Sequence, residues 1–197
     1  MLDGLPVLLH LLLFLLDFLF VGILPLIFFK RDGRLNLAWW LTAAPYGLCS
    51  VFLVAAFFRA VAPMSGFGTP LGNLLALLAV PFGVASIALI SYTLGTHRLR
   101  IALWHQSNDA PEQIVTYGAY SRIRHPFYAA FMLALLGALI FCPHPVTLTL
   151  LLYGGFILNR TAAREERRLS ESKFGAEYQA YVQRTGRFVP RWGRQAS

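Results

Sequence analysis

His125 and Tyr128 close the run Tyr117-Gly118-Ala119-Tyr120-Ser121-Arg122-Ile123-Arg124-His125-Pro126-Phe127-Tyr128, which sets phenols, guanidinium groups and an imidazole just ahead of an apolar stretch. A second polar cluster, Arg164-Glu165-Glu166, follows the next apolar stretch. Histidine and glutamate are the side chains that take or give a proton near neutrality, and arginine orients a carboxylate through paired N–H donors. The two clusters form one site only if the chain between them is a hairpin.

The elements that must position them are greasy. Runs of roughly 20 apolar residues, the length that crosses a bilayer, extend from Leu5 to Phe29, Leu37 to Ala62 and Pro70 to Tyr92. Pro126 to Phe141 and Val146 to Leu158 are shorter, and Cys142-Pro143-His144-Pro145 between them is a turn signal. The pattern predicts a helical hairpin whose inner ends continue past the hydrocarbon. Pro126 suits the first turn of its helix, where a missing N–H removes no bond. After the hairpin, Leu169, Phe174, Tyr178 and Tyr181 with charges around them predict an amphipathic surface helix.

With 57% apolar and 13% charged residues and a mean hydropathy of +0.58, the chain is too apolar for a soluble domain of 197 residues. The expected fold is an all-α integral membrane domain of about five transmembrane helices, residues 1–92 forming a three-helix region and 93–197 a loop, hairpin and tail. The +8 formal charge does not point to nucleic acid, because 16 of the 17 Lys and Arg residues fall in the connections at 30–36 and 93–125 and in the tail from 159, all on one side. The positive-inside rule then puts the N-terminus outside and both polar clusters in the cytoplasm, with Trp39, Trp40, Tyr92 and Trp104 as interfacial anchors. No basic n-region precedes the first span, so it is expected to stay as a span. Cys49 and Cys142 have no metal-ligand spacing. The long 93–125 connection, with its mixed polar and apolar positions, is expected to be an ordered cytoplasmic cap.

Arg124-His125-Pro126-Phe127-Tyr128, then Glu165-Glu166, then Phe174-Gly175-Ala176-Glu177-Tyr178-Gln179-Ala180-Tyr181, and finally Thr185-Gly186-Arg187-Phe188-Val189-Pro190 make up an ordered set. It resembles the integral-membrane isoprenylcysteine carboxyl methyltransferase and phospholipid methyltransferase superfamily, over about residues 90 to 192. The resemblance implies S-adenosylmethionine (SAM) as cofactor, the cap as part of its site, and a lipophilic methyl acceptor reached from the bilayer. Tyr120, His125 and Tyr128 match family cofactor positions; Gln113, Ile114 and Val115 match a strand-like segment that covers the cofactor, and Glu166 matches its glutamate. His105 or Gln106 supplies a further polar contact at the adenine end. The acceptor-contacting arginine of the family falls near Ala162 here, with Arg160 and Arg164 on either side as candidates. Glu165 joins these arginines on the catalytic side, and because the interval from Glu166 to Phe174 is about one residue longer than common in the family, Glu165 and Glu166 can exchange roles.

The implied function is SAM-dependent methylation of a lipophilic carboxylate such as a prenylcysteine-like compound. The alternatives are N-methylation of a phospholipid amine, an NADPH-dependent sterol-type reductase, and a noncatalytic lipid-binding or transport protein. Methyl transfer discharges a sulfonium, so alignment and desolvation matter more than neutralising the ground state. A carboxylate acceptor is already nucleophilic, whereas an amine must first lose a proton. Each residue also has a plainer reading: His125 as a helix cap, the tyrosines as belt residues, the glutamates as partners of neighbouring arginines, Arg122 and Arg124 as headgroup contacts. His10 and Asp17 share a face of the first span, where ionisable groups either serve function or bond to another helix.

Overall fold

The computed structural model describes residues 5–23, 29, 33–58, 60–61, 66, 68–96 and 114–191. Among the described residues six α-helices run in the order α1 (Leu5–Ile23), α2 (Leu37–Phe57), α3 (Pro70–Thr96), α4 (Pro126–Phe141), α5 (Pro145–Ser170) and α6 (Gly175–Arg184), with a 3-10 turn at Gly118–Ser121 before α4. Among the described residues there is no strand, and two isolated β-bridges pair Phe29 with Leu35 and Ile123 with Gly186. Most of the 93–125 connection, including His105, Gln106 and Gln113, lies outside the described residues; so does most of the expected cap.

The segments Trp39–Phe57, Pro70–Thr96 and Pro145–Ser170 are long and apolar enough to cross a membrane, which is compatible with a multi-pass membrane protein. The apolar segments Leu8–Asp17 of α1 and Pro126–Phe141 are shorter. At 1.5 Å per residue, the 26 residues of α5 rise about 39 Å, some 9 Å more than the hydrocarbon core requires. Its apolar part, Pro145 to Leu158, rises about 21 Å, and the polar remainder from Asn159 to Ser170, with Arg160 and Arg164 to Arg168, continues the helix for about 18 Å more. The hairpin therefore delivers Glu165 and Glu166 on helical backbone beyond the apolar layer. The turn between α4 and α5 is fixed by reciprocal bonds: the Val146 N–H donates to His144 Nδ1 (3.1 Å) and the His144 N–H to Thr147 Oγ1 (3.2 Å).

Helices α3 and α4 share the largest interface, and α3 also packs along α1, while α2 lies against α5. The reason is a seam of small residues. The buried positions of α3 are Gly72, Ala76, Ala79, Gly83, Ser86, Ile90, Thr93 and Thr96, spaced three or four apart; those of α4 include Ala129, Ala130, Ala134, Gly137 and Ala138. Small side chains let apolar helices approach closely where no aqueous driving force is available. A Cβ on Gly137 would stand 3.2 Å from Phe82 Cβ and 3.6 Å from the Ala79 carbonyl. On α2 the phenol of Tyr46 donates to the Phe131 carbonyl of α4.

The chain re-enters at the start of α4 through Gly118. Its φ of +59° is a conformation that side-chain-bearing residues rarely adopt, and a Cβ there would lie 2.4 Å from Thr96 Oγ1. The neighbouring Ala119 N–H donates to that same hydroxyl at 3.2 Å. Gly118→Ala is expected to lower stability by about 2 kcal/mol, the cost of one left-handed non-glycine residue plus displacement of Thr96. Thermal melting in detergent reads this, and Gly95→Ala, with open space around its added Cβ, serves as control.

Candidate functional site

His125 is the residue before α4, and Pro126 begins the helix, yet the imidazole makes no cap bond. Instead the ring stacks on Tyr128, with centroids 5.3 Å apart and planes at 4°, and Phe188 approaches at 6.1 Å. Its two nitrogens face the two glutamates of α5: Nδ1 is 3.5 Å from Glu165 Oε2 and Nε2 is 3.3 Å from Glu166 Oε1. Both contacts are looser than hydrogen bonds, and buried Nε2 has no hydrogen-bond partner among the described residues.

The glutamates are held differently. Tyr128 Oη donates to Glu165 Oε1 at 2.7 Å, joining the first turn of α4 to the last turns of α5. Glu166 is gripped by two arginines. Arg124 Nε donates to its Oε1 at 2.9 Å, and Arg187 donates through Nε to Oε1 (3.1 Å) and through Nη2 to Oε2 (2.5 Å). The second guanidinium nitrogen of Arg187 reaches Asn159 Oδ1 at 2.8 Å. Bidentate pairing of this kind fixes orientation as well as charge.

Arg187 arrives by a backbone strap. The Gly186 N–H donates to the Arg122 carbonyl (3.1 Å), Arg124 N–H to the Gly186 carbonyl (2.8 Å), and His125 N–H to the Arg187 carbonyl (3.0 Å), which is the parallel pairing of Ile123 with Gly186. Arg124 Nη1 also donates to the carbonyls of Val182 and Thr185 at the end of α6. Tyr181 on α6 donates to the Tyr120 carbonyl at 2.6 Å, and Tyr178 and Tyr181 are buried. The tail therefore clasps the His125 loop against the end of α5.

Burial alone would raise the Glu166 carboxyl, but the facing His125 imidazole and the bonds from Arg187 and Arg124 outweigh it and hold the group well below the usual carboxylate range. Burial pushes Glu165 up to about 7, against the pull of the Tyr128 hydroxyl and of Arg168 and Arg164. Burial also lowers His125, although Glu166 resists, and raises the Tyr120 phenol, with Tyr181 and Glu165 adding to it. A neutral imidazole has one N–H for two carboxylates. A protonated Glu165 facing Nδ1 and an N–H on Nε2 facing ionised Glu166 is the one arrangement in which no two lone pairs oppose each other.

A raised carboxyl leaves the folded state unpenalised below the unfolded value of 4.5, and stability falls as pH rises toward the folded value of about 7. Glu165→Gln cannot ionise, yet its amide oxygen still accepts from Tyr128. Its melting temperature is expected to gain on the wild type as pH is raised through that window, and to converge with it in acid. A constant difference across the window would contradict the raised titration.

The structure thus brings Tyr120, His125, Tyr128, Glu165 and Glu166 together. Ile114 and Val115 are half-buried and without regular secondary structure or strand pairing, while Gln106 and Gln113 lie outside the described residues. Arg160 and Arg164 are exposed: the Arg160 guanidinium sits 6.0 Å over the Phe156 ring, and Arg164 Nη2 reaches Thr161 Oγ1 at 3.4 Å. Neither joins the Glu166 network. Arg124 and Arg187 do, and sequence reasoning assigned them no site role. Arg187 lies within the Thr185-Gly186-Arg187-Phe188-Val189-Pro190 run, but in sequence its charge fits the one-sided distribution of basic residues equally well. Among the described residues no group of His, Cys, Asp and Glu could hold a metal ion. Compared with protein-family models, curated proteins and solved structures, the chain finds no match in any of the three.

Proposed function

We propose that this chain is a SAM-dependent membrane methyltransferase whose acceptor is lipophilic and enters from the bilayer. The observation that carries the reading is the convergence of His125, Tyr128 and the Glu165–Glu166 pair at the polar end of the α4–α5 hairpin. In this reading the bundle has five spans, the N-terminus is outside, and the site and tail face the cytoplasm, as the one-sided distribution of Lys and Arg supports.

The residues present suit the cofactor. SAM offers an ammonium, a sulfonium, a carboxylate and an adenine, and bound SAM supplies an electrophilic methyl group. Glu165 has lone pairs beyond its single bond from Tyr128, and His125 Nε2 is buried without a hydrogen-bond partner among the described residues. Glu165, protonated beside His125 and raised to about 7, ionises readily when a ligand cation approaches and has the capacity left to hold it, and Glu166, occupied by two arginines, holds the His125 loop and the tail in place. Tyr120 and Phe188 add aromatic surface beside them. Half-buried Ile114 and Val115 belong to the same site in this reading, and the resemblance adds Gln106 and Gln113, which lie outside the described residues. Arg160 and Arg164, exposed at the polar edge of α5, orient an acceptor carboxylate such as that of a prenylcysteine-like compound.

A phospholipid amine is the second reading, favoured by one feature: Glu165, held near neutrality in its protonation, and His125 form a pair able to accept the proton an amine must lose. Incubating purified protein with methyl-labelled SAM, total lipid extract and small prenylated thiols separates these. A base-labile labelled ester is expected for a carboxylate acceptor and a base-stable labelled headgroup for an amine. No transfer to any lipophilic acceptor, with NADPH binding in place of SAM, would replace the methyltransferase reading with the reductase one.

A further inference from the structure

Asp17 lies midway along α1 with 0% of its surface exposed, on the helix face it shares with buried His10. Its Oδ1 is 3.0 Å from Ser86 Oγ on α3, and the same Oγ is 2.8 Å from the Ala130 carbonyl of α4. A hydroxyl has one hydrogen and two acceptor positions. If Ser86 gives its hydrogen to an ionised Asp17, two oxygens with only lone pairs between them face each other at 2.8 Å on the Ala130 side. If it gives its hydrogen to Ala130, an ionised Asp17 faces the lone pairs of Ser86.

Both conflicts vanish when Asp17 carries a proton. Asp17 then donates to Ser86, Ser86 donates to Ala130, and each hydrogen has one acceptor. The surroundings agree. The helices packed on α1 are α2, α3 and α4, and their sequences contain no Lys, Arg or His. The titratable groups they carry are phenols and thiols: Tyr46, with its hydroxyl on Phe131, and buried Cys49 on α2, exposed Tyr92 on α3, Tyr128 on α4 with its hydroxyl on Glu165, and buried Cys142 just after α4. On α1 itself, the His10 ring lies tilted against Phe141, with centroids 4.4 Å apart and planes at 37°. Asp17 Oδ2 has no hydrogen-bond partner among the described residues. A lone carboxylate without a cation inside an apolar bundle is among the most unfavourable burials in a protein, whereas an unpartnered carbonyl-type oxygen is a minor loss.

We infer that Asp17 is a neutral carboxylic acid that positions α4 through a relay from Asp17 to Ser86 to the Ala130 carbonyl. Tyr46 fixes the adjacent Phe131 carbonyl from α2. Three helices thereby grip α4 within one turn of Tyr128, the residue that joins α4 to Glu165. Asp17 is a positioning residue, and the inference is independent of what the site binds.

Infrared spectroscopy on protein carrying carbon-13 in its aspartate carboxyls tests this, because the C=O stretch of a protonated carboxyl stands apart from that of a carboxylate. In nanodiscs at neutral pH one label-sensitive protonated band is expected, absent from Asp17→Asn and displaced in Ser86→Ala. Asp17→Asn, whose amide N–H replaces the donor, is expected to melt within about 2 °C of wild type, whereas Asp17→Ala falls by more than about 4 °C. The wild-type spectrum requires no variant to fold. A spectrum without a label-sensitive protonated band, a band that survives Asp17→Asn, or an Asn variant as unstable as the Ala variant would each overturn the inference.

Discussion

Glu166→Ala is expected to destabilise the protein by about 3 kcal/mol, the lower end of the range for breaking a buried ion pair. The lower end applies because the Arg187 side chain is 33% exposed and regains water, whereas Arg124 is 10% exposed and does not. The loss reaches beyond charge. Arg124 and Arg187 sit on opposite sides of the Ile123–Gly186 pairing, so an uncompensated pair of guanidiniums pushes the tail from the His125 loop. Adding Arg124→Ala to Glu166→Ala should therefore recover part of the stability, which melting in detergent measures. Additive losses would show that the two residues do not form a unit.

Gly186→Ala should be comparably severe for a steric reason. A Cβ at this position would fall 1.8 Å from the Val189 carbonyl oxygen and 3.0 Å from its carbon. Neither is a side chain that can turn aside, so the 185–191 turn must open. The expected cost is about 3 kcal/mol, the upper end for overpacking, and opening withdraws Arg187 from Glu166. Limited trypsin digestion reads the consequence directly: cleavage after Arg184 and Arg187 is expected to accelerate in the variant while α1 to α5 stay protected. An unchanged digest would mean that the strap does not depend on this close approach.

The hairpin was legible because periodicity and the Cys142–Pro145 turn signal are local. So was α6, from its aromatic spacing, and so was the meeting of His125 and Tyr128 with the glutamates, which follows once α4 and α5 are antiparallel. Helix ends were less so: α2 stops at Phe57 rather than Ala62, and α3 continues past Tyr92 to Thr96. Hydropathy marks where lipid ends, not where backbone hydrogen bonds end. The division of labour within Glu165–Glu166 was not readable, since adjacent helical residues point about 100° apart and only the packing of α5 sets which faces Arg187. The strap was invisible for a related reason. Its bonds join backbone groups of residues 122–125 and 186–187, and backbone groups carry no sequence signature. The small-residue seam of α3 is present in the sequence, but inside a wholly apolar span small residues contribute to length and hydropathy without marking which face packs.

The proposed function requires that the cluster of His125, Tyr128 and Glu165 bind SAM. Isothermal titration of SAM into the purified, folded protein in nanodiscs tests it most directly. Saturable binding at one site is expected, weakened about tenfold or more by His125→Ala or Glu165→Gln, the worth of one hydrogen bond to a charged group. A folded wild type that gives no saturable binding of SAM would contradict the account.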